Sequence, residues 1–164
     1  MHKSSLMEMK SFLSSYPPSS SPLRVLDVGS RSLNPGPTYR DIMPEGWVYL
    51  GLDTEAGPNV DVIAGAVYRY PFFSNNFDLV ISGQVLEHVL NPNSWVSEIY
   101  RVCGVGGKVC IIAPTAGKIH CRPDYWRITK DGMRGILERA GFNNVQVHTN
   151  NINPWRDCVG VGVK

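Results

Sequence analysis

Apolar residues recur along the chain in short runs that are typical of buried strands, and the stretches between some of these runs have helical spacing. The runs that predict strands lie at 23–29, 47–53, 60–64, 77–82, 108–113, 145–149 and 158–163. The last two are rich in β-branched residues and predict a closing hairpin. Strands that alternate with helices in this way predict an α/β fold: a Rossmann-like, mixed sheet of seven strands that ends in a C-terminal antiparallel hairpin.

The first 20 residues are predicted to precede the main domain. Residues 4–15 carry apolar side chains at helical spacing and predict an amphipathic helix across one edge of the sheet. The prolines and serines that follow predict a short linker. We therefore divide the chain into an amino-terminal helix and linker, residues 1–20, and one domain, residues 21–164.

Helices between the first three strands are predicted to be short or missing, and those after the third strand to be of ordinary length. The segment 33–46 is rich in proline and glycine, so any helix there is short and lies at 39–43. Only a turn joins the second and third strands, although a parallel crossover normally needs a dozen or more residues. Two later helices, each with an N-capping residue and a terminal glycine, are predicted between Asn91 and Gly104 and between Thr129 and Gly141.

Composition narrows the functional class. The 164 residues, 43% hydrophobic and 18% charged, are typical of a globular domain, and a net charge of +2 without a basic run does not favour nucleic acid. The four cysteines lack Cys-x-x-Cys spacing, so neither a disulfide framework nor a metal site is predicted. The sequence shows no membrane-spanning run and no signal peptide. We expect a cytoplasmic protein that acts on a small molecule, without nucleic-acid or membrane partners, and we leave a homodimer open.

A nucleoside pocket is predicted where the first two strands end. The first strand ends in Asp27-x-Gly29 and the second in Asp53, which can accept hydrogen bonds from ribose hydroxyls. The loop has a single glycine rather than Gly-x-Gly-x-x-Gly, so a dinucleotide is poorly supported. S-adenosylmethionine has no phosphate and tolerates such a loop better. The alternative is that Asp53 is a helix cap or a solvated turn acid.

Further motifs turn this pocket into a family resemblance. In order along the chain they are Asp27-x-Gly29, Asp53, Pro71-Phe72, Phe77-Asp78-Leu79-Val80, Leu86-Glu87-His88 and Gly106-Gly107. Through them the chain resembles the class I S-adenosylmethionine-dependent methyltransferases, and through residues 57–61, 82–88 and 120–127 it resembles a small-molecule branch of that family. The resemblance implies S-adenosyl-L-methionine as the cofactor.

The resemblance also implies a role for each matching position. Residues expected to bind the cofactor are Asp27, Gly29, Ser30, Arg31, Leu52, Asp53, Thr54, Gln84 and Val85. Those expected to act in catalysis are His120, Asp124 and His88, and those expected to bind substrate are Glu87 and Arg127. Two positions depart from the family pattern: Arg31 stands in a loop that is usually glycine-rich, and Gly65-Ala66 replace an acid that usually binds the adenine amine.

The chemistry requires an aligned acceptor and, for a hydroxyl or amine, removal of a proton. We predict His120 as the base, since its ordinary pKa of ~6.5 suits that task, with Asp124 orienting it and Arg127 binding an acidic group on the acceptor. Alternatively, Glu87 and His88 brace the backbone, and Asp124 simply pairs with Arg127. The predicted function is methyl transfer to an O or N atom of a metabolite. The alternative is a degenerate cofactor-binding or partner subunit without catalytic activity.

Overall fold

The computed structural model describes residues 3–16, 21–152 and 154–164, so the predicted linker at 17–20 lies outside the described residues. The helices are α1 (Lys3–Ser14), α2 (Pro92–Val102) and α3 (Lys130–Ala140). The strands are β1 (Arg24–Val28), β2 (Val48–Asp53), β3 (Val62–Ile63), β4 (Phe77–Gly83), β5 (Cys103–Pro114), β6 (Asn143–Thr149) and β7 (Asp157–Val163). Two short 3-10 turns lie at Arg40–Ile42 and Leu86–His88.

All seven strands belong to one sheet in the order β3-β2-β1-β4-β5-β7-β6. The strands from β1 to β5 pair in parallel, and β7 is antiparallel to both β5 and β6. This confirms the predicted Rossmann-like mixed sheet and its C-terminal hairpin. The chain leaves β1 towards β2 on one side and later returns to β4 on the other, and ligands bind at such a switch point, outside the carboxyl ends of the strands.

Helices cover the two faces of the sheet differently. On one face α2 and α3 pack against apolar side chains of the central strands; the buried helix residues are Trp95, Val96, Ile99, Val102, Met133 and Leu137. On the other face Met9 and Leu13 of α1 pack against Ile81 and Cys110. The helix α1 therefore lies on a face of the sheet rather than across its edge as predicted. The connection from β1 to β2 supplies only the turn Arg40–Ile42, and α1 contacts β5 and β7.

The turn between α2 and β5 is tighter than predicted. Gly104 does not end the helix; Cys103 is already extended and pairs with Phe77, so β5 begins directly after α2. The register then shifts before Leu79 pairs with Lys108. Gly104 therefore lies within a strand, where an added Cβ would stand 3.1 Å from the carbonyl oxygen of Phe77.

Between β2 and β3 hydrogen bonds take the place of the missing crossover helix. The strand β3 has two residues, and Leu52 pairs in parallel with Val62. The carboxylate of Asp61 accepts from the backbone N–H of Gly51 at 2.7 Å and from Arg40 at 2.5 Å. These contacts fix the carboxyl end of β2 beside that of β1.

Helix length and the state of the cysteines bear on two expectations from composition. The longest helix within the described residues has 12 residues, and none is long and apolar enough to cross a bilayer, for which about 20 apolar residues are needed. The cysteines form no disulfide: Cys103, Cys110 and Cys158 are buried, and Cys121 is exposed.

Candidate functional site

Asp27 is buried at the carboxyl end of β1. Its side chain accepts a hydrogen bond from the hydroxyl of Tyr49 on β2 at 2.5 Å, and the residue is 1% exposed. Burial raises the pKa of Asp27 to about 7, although the Tyr49 hydrogen bond opposes the shift. The carboxyl of Asp27 is therefore shielded from solvent, and its hydrogen-bond partner is Tyr49 of this chain.

The loop after β1 needs a glycine. Gly29 has a φ of +79°, and a Cβ at that position would stand 2.2 Å from Cγ2 of Val85. The backbone N–H groups of Gly29 and Ser30 both donate to the carbonyl oxygen of Leu52, at 2.8 Å and 3.0 Å. The loop thus crosses the end of β2 and brings four of the residues predicted to bind the cofactor, from β1, β2 and β4, into contact with one another.

Asp53 and Arg31 join the ends of β1 and β2. The carboxylate of Asp53 is partly buried and accepts from the backbone N–H of Arg31 at 3.0 Å and of Glu55 at 3.2 Å. The hydroxyl of the exposed residue Thr54 lies 3.5 Å from Oδ1 of the same carboxylate. The Arg31 guanidinium forms an ion pair with Glu55. The roles of Asp53, Thr54 and Arg31 towards a cofactor stay predictions.

Buried polar atoms without a partner cluster at the carboxyl end of β4. Within the described residues, no hydrogen bond reaches Oε1 of Gln84, Oδ2 of Asp157 or either carboxylate oxygen of Glu87. Gln84 has a φ of +61°, an uncommon backbone conformation for this residue type, and its amide donates to Oδ1 of Asp157 at 2.8 Å. Because buried polar groups are nearly always hydrogen-bonded, this cluster points to a ligand.

Glu87, like Asp157, is completely buried. Its exposed fraction is 0%, and it lies in the 3-10 turn Leu86–His88 that follows β4. Burial, the largest influence, raises the pKa of Glu87 to about 8. The backbone N–H of Glu87 itself opposes this shift, but neither carboxylate oxygen has a well-formed hydrogen bond within the described residues.

The segment that carries His120 is anchored on this turn. The backbone N–H of Tyr125 donates to the carbonyl of Glu87 at 2.7 Å, and the indole N–H of Trp126 donates to the carbonyl of Val89 at 2.8 Å. Nδ1 of His88 lies 2.5 Å from the carbonyl oxygen of Pro123. These bonds bring the rings of His88 and His120 to a centroid separation of 5.2 Å.

His120 is positioned by Asp124, which is in turn held by Arg127. Nδ1 of His120 lies 3.2 Å from Oδ2 of Asp124, whose side chain is 1% exposed. Arg127 donates to both oxygens of Asp124, at 2.5 Å and 2.9 Å, and this bidentate pair lowers the pKa of Asp124 to about 2. The pairing of Asp124 with Arg127, an alternative raised from their spacing, is therefore present.

The guanidinium of Arg127 donates hydrogen bonds to acceptors of its own segment, residues 117–127. Besides the bonds to Asp124, its guanidinium donates to the backbone carbonyls of Gly117, Lys118 and Trp126. Every nitrogen of the group thus donates to a nearby acceptor. Its contacts are those of a brace for the segment, and its binding of a substrate anion stays a prediction.

Sequence reasoning missed Asp157 and Tyr49. Asp157 begins β7 and pairs with Pro114 at the end of β5, so the antiparallel register carries it to the same edge as Gln84. An acid directly before an apolar strand was the available signal. Tyr49 lies within β2, where the alternation of the strand was the only signal that it faces Asp27.

The region after β3, where the family acid is missing, forms an open groove. Gly65, Ala66, Arg69, Tyr70 and Phe72 contribute to the lining of this groove, which has a volume of about 520 Å³. Tyr70 is buried, and its backbone N–H donates to Glu98 at 2.6 Å. The groove offers backbone and apolar surface in place of the acid.

Comparison with known proteins gives related sequences. A family model described as a methyltransferase domain matches residues 41–111, which excludes the loop at Gly29. Demethylmenaquinone methyltransferase of Renibacterium salmoninarum is 30% identical over 132 residues, 73% of this chain and 54% of that protein. The chloroplastic 2-methyl-6-phytyl-1,4-hydroquinone methyltransferase 1 of Oryza sativa subsp. japonica is 28% identical over 93 residues, 54% of this chain and 28% of that protein. The chain therefore spans about half the length of the first relative and less of the second.

A solved structure agrees with the fold. The 1,6-didemethyltoxoflavin-N1-methyltransferase of Burkholderia thailandensis, with bound 1,6-didemethyltoxoflavin and S-adenosylhomocysteine, superposes with a TM-score of 0.77. The superposition covers 99% of this chain and 79% of that one at 16% identity. The motif at the end of β1 and the turn after β4 indicate a methyltransferase. The sequence relatives, the matched domain and the seven-stranded sheet indicate the same. The chain therefore carries a methyltransferase domain, and its sheet has the fold of the class I S-adenosylmethionine-dependent methyltransferases.

Proposed function

We propose that this chain binds S-adenosylmethionine at the carboxyl ends of β1, β2 and β4 and transfers a methyl group to an O or N atom of a small molecule. One observation carries the proposal: a histidine held by a buried carboxylate stands at the end of β4, beside buried polar atoms that have no hydrogen-bond partner within the described residues. The relatives named above act on quinone-type and heterocyclic small molecules according to their names, which supports an acceptor of that size.

Several features of the chain fit the cofactor. Gly29, which has no side chain, lets Val85 pack directly against the loop after β1, and Oε1 of Gln84 is a buried acceptor without a protein donor among the described residues. Asp53 is partly exposed at the end of β2, where it can accept from ribose hydroxyls. When bound, the cofactor supplies a methyl group activated by its sulfonium. The remaining residues of the proposed set are Asp27, Ser30, Arg31, Leu52, Thr54 and Val85.

His120 would handle the proton of the acceptor. Donation from Nδ1 to Asp124 leaves the lone pair on Nε2, which is the arrangement of a general base positioned by a carboxylate. The pair between Asp124 and Arg127 keeps that carboxylate ionised, so it also stabilises the imidazolium that proton removal produces. His88 and Glu87 complete the acceptor side of the proposed site.

Calorimetry and a turnover assay test the proposal together. We expect S-adenosylhomocysteine to bind and NAD to release no heat, since the loop lacks the glycines of a dinucleotide site. A metabolite screen with a labelled methyl donor should then identify an acceptor. No heat with S-adenosylhomocysteine would end the proposal. Binding without turnover on any acceptor would favour the alternative, a cofactor-binding partner subunit without activity.

The setting of the reaction is a further part of the proposal. We place it in the cytoplasm, with neither nucleic acid nor membrane as a partner, and leave a homodimer as an arrangement to measure. The net charge of +2 supports the absence of nucleic acid. Fluorescence anisotropy with labelled RNA and sedimentation of the purified chain check these points, and tight RNA binding would contradict the first.

A further inference from the structure

We propose that Glu87, His88 and His120 together bind one divalent transition-metal ion at the acceptor side of the site. One ligand atom from each residue can be chosen so that all three lie within 4.8 Å of one another. The inference rests on the proposed function for its catalytic role, although metal binding itself can be measured without turnover. It departs from the sequence, whose cysteine spacing predicts no metal site.

The donor atoms are close to coordinating distances. Nε2 of His88 lies 3.8 Å from Oε1 of Glu87. In a tetrahedral site with bonds of about 2.1 Å, neighbouring ligand atoms are separated by about 3.4 Å. Rotations of the Glu87 side chain and of the two imidazoles would have to shorten separations that now lie within 4.8 Å to this value.

The tautomers of both histidines suit this arrangement. Nδ1 of His88 faces the carbonyl oxygen of Pro123, so this nitrogen carries the proton and Nε2 carries the lone pair. Nδ1 of His120 likewise faces the ionised carboxylate of Asp124. Metal-bound histidines typically donate their other ring N–H to a carbonyl or a carboxylate, which fixes the ring and raises its basicity. Both kinds of support are present here.

Glu87 supplies the second, independent observation. Its side chain is 0% exposed, and neither oxygen has a hydrogen-bond partner within the described residues. A buried carboxyl in that state is destabilising unless something else satisfies it. A cation held jointly with two imidazoles provides the missing interaction and gives a reason for an acid at this position.

The ligand set selects the class of ion. Two imidazoles and one carboxylate are typical of Zn²⁺ and Fe²⁺ sites, whereas Mg²⁺ and Ca²⁺ prefer sites made of oxygen atoms. Three protein ligands leave a coordination position open, as in catalytic rather than structural sites. That position would take an oxygen of the acceptor, so the inference favours a hydroxyl over an amine.

The ion would change the part that His120 plays. Coordination lowers the pKa of a hydroxyl, so its proton passes to solvent and Nε2 of His120 serves as a ligand rather than as the base. The oxygen's electron pair then forms the new C–O bond, while the pair of the breaking C–S bond returns to sulfur and leaves a neutral thioether. Charge and atoms balance without any further reagent.

Calorimetry on the whole chain, freed of metal by chelator and dialysis, tests the inference. We expect Zn²⁺ to bind at one equivalent, Mn²⁺ more weakly, and Mg²⁺ and Ca²⁺ not at all. The variants Glu87→Gln, His88→Asn and His120→Asn should each weaken Zn²⁺ binding at least about tenfold, and Asp124→Asn about 10- to 100-fold through the orientation of His120. His148→Asn, at a histidine that pairs with Glu8 away from the site, is the matched control and should leave binding unchanged.

Titration of the same samples with S-adenosylhomocysteine separates the two proposals. Binding of S-adenosylhomocysteine without binding of Zn²⁺ overturns the metal site and leaves the methyltransferase proposal standing. Binding of Zn²⁺ without binding of S-adenosylhomocysteine overturns the methyltransferase proposal and supports the metal site. Zn²⁺ binding that survives all three ligand variants also overturns the site. If a variant fails to fold, X-ray absorption at the zinc edge of the unaltered chain decides: two imidazoles and oxygen are expected, and a sulfur ligand such as Cys121 contradicts the inference.

Discussion

The two sides of the carboxyl edge of this sheet differ in whether their polar side chains have partners within the chain. At the ends of β1 and β2 each predicted side chain has a partner within the chain: Asp27 has Tyr49, Arg31 has Glu55, and Asp53 has the backbone of the loop. At the ends of β4, β5 and β7 buried oxygens of Gln84, Glu87 and Asp157 have none within the described residues. We call these the paired side and the unpaired side.

The difference assigns different tasks to the two sides. A side whose polar groups already have partners would recognise a ligand mainly by shape, by backbone groups and by the partly exposed carboxylate of Asp53. A side that holds buried polar groups without partners bears an energetic cost that a ligand or ion can relieve. We therefore expect changes on the paired side to alter cofactor affinity and stability, and changes on the unpaired side to alter turnover.

The largest effect is expected on the unpaired side, from His120→Asn. Whether His120 removes the proton or holds an ion that acidifies the acceptor, its loss should lower kcat by about 100- to 10,000-fold. The affinity for S-adenosylhomocysteine should stay unchanged, because the ring stands beside His88 and Asp124 rather than beside the loop after β1. Turnover with a labelled methyl donor and calorimetry on the same protein check both parts, with His148→Asn as the control. Unchanged turnover would remove His120 from the mechanism.

A smaller effect of the opposite kind is expected on the paired side, from Asp53→Asn. Hydrogen bonds to a charged acceptor contribute about 1.5–3 kcal/mol, so the affinity for S-adenosylhomocysteine should fall by roughly 10- to 100-fold. At saturating cofactor kcat should hold. Glu138→Gln, which removes an equal charge at an exposed position of α3, is the control and should change neither quantity. If Asp53→Asn instead lowers kcat and spares affinity, the division between the two sides is wrong.

The sequence predicted the fold more fully than it predicted the state of the site. The seven strands of the mixed sheet and the C-terminal hairpin follow from local patterns and from the family motifs, since each strand is written in a contiguous run. The motifs also located Glu87 and His120, and the structure brings both to one edge. The tight entry into β5 at Cys103 escaped prediction because it depends on pairing with Phe77, a contact distant in sequence.

Whether a polar side chain has a partner could not be predicted, for the same reason. The bond between Tyr49 and Asp27 depends on the parallel register of β1 and β2, and the contact between Gln84 and Asp157 joins residues 73 positions apart. Nothing in the local pattern around Gln84 distinguishes it from a residue of an ordinary turn. The contrast between the paired and unpaired sides is thus a property of the assembled sheet.

Gly29→Ala tests the shape of the paired side. The positive φ and the close approach to Val85 should together lower the free energy of unfolding by about 1–3 kcal/mol. Adding Val85→Ala removes the side chain that the new Cβ would meet, so the double variant should lose less than the sum of the two single losses. Urea unfolding of all four proteins measures this. Strict additivity would mean that the contact with Val85 does not restrict position 29.

The last effect is expected from Asp27→Asn, and it is a change in the pH dependence of stability. Burial raises the pKa of Asp27 from 3.8 to about 7, so the folded chain holds this proton more tightly than the unfolded chain does. The stability that this carboxyl contributes is therefore complete below about pH 4 and is lost as the pH rises towards 7, at no more than about 1.4 kcal/mol per pH unit. The variant keeps an acceptor for Tyr49 but cannot ionise, so its curve should lack that fall.

Urea unfolding at intervals from pH 4.5 to 7.5 measures the difference between the two curves. Asp41→Asn is the matched control: bonds from Thr38 lower the pKa of this exposed carboxyl, so its titration lies below the measured range and its curve should run parallel to that of the unaltered chain. Parallel curves for Asp27→Asn as well would mean that Asp27 is ionised throughout, and the paired side would then contain a buried charge held by Tyr49 alone. Curves whose separation grows with pH would instead establish that Asp27 is neutral at the lower pH values. A neutral centre suits a cofactor end that carries its own charges and leaves Asp53 as the carboxylate that meets it.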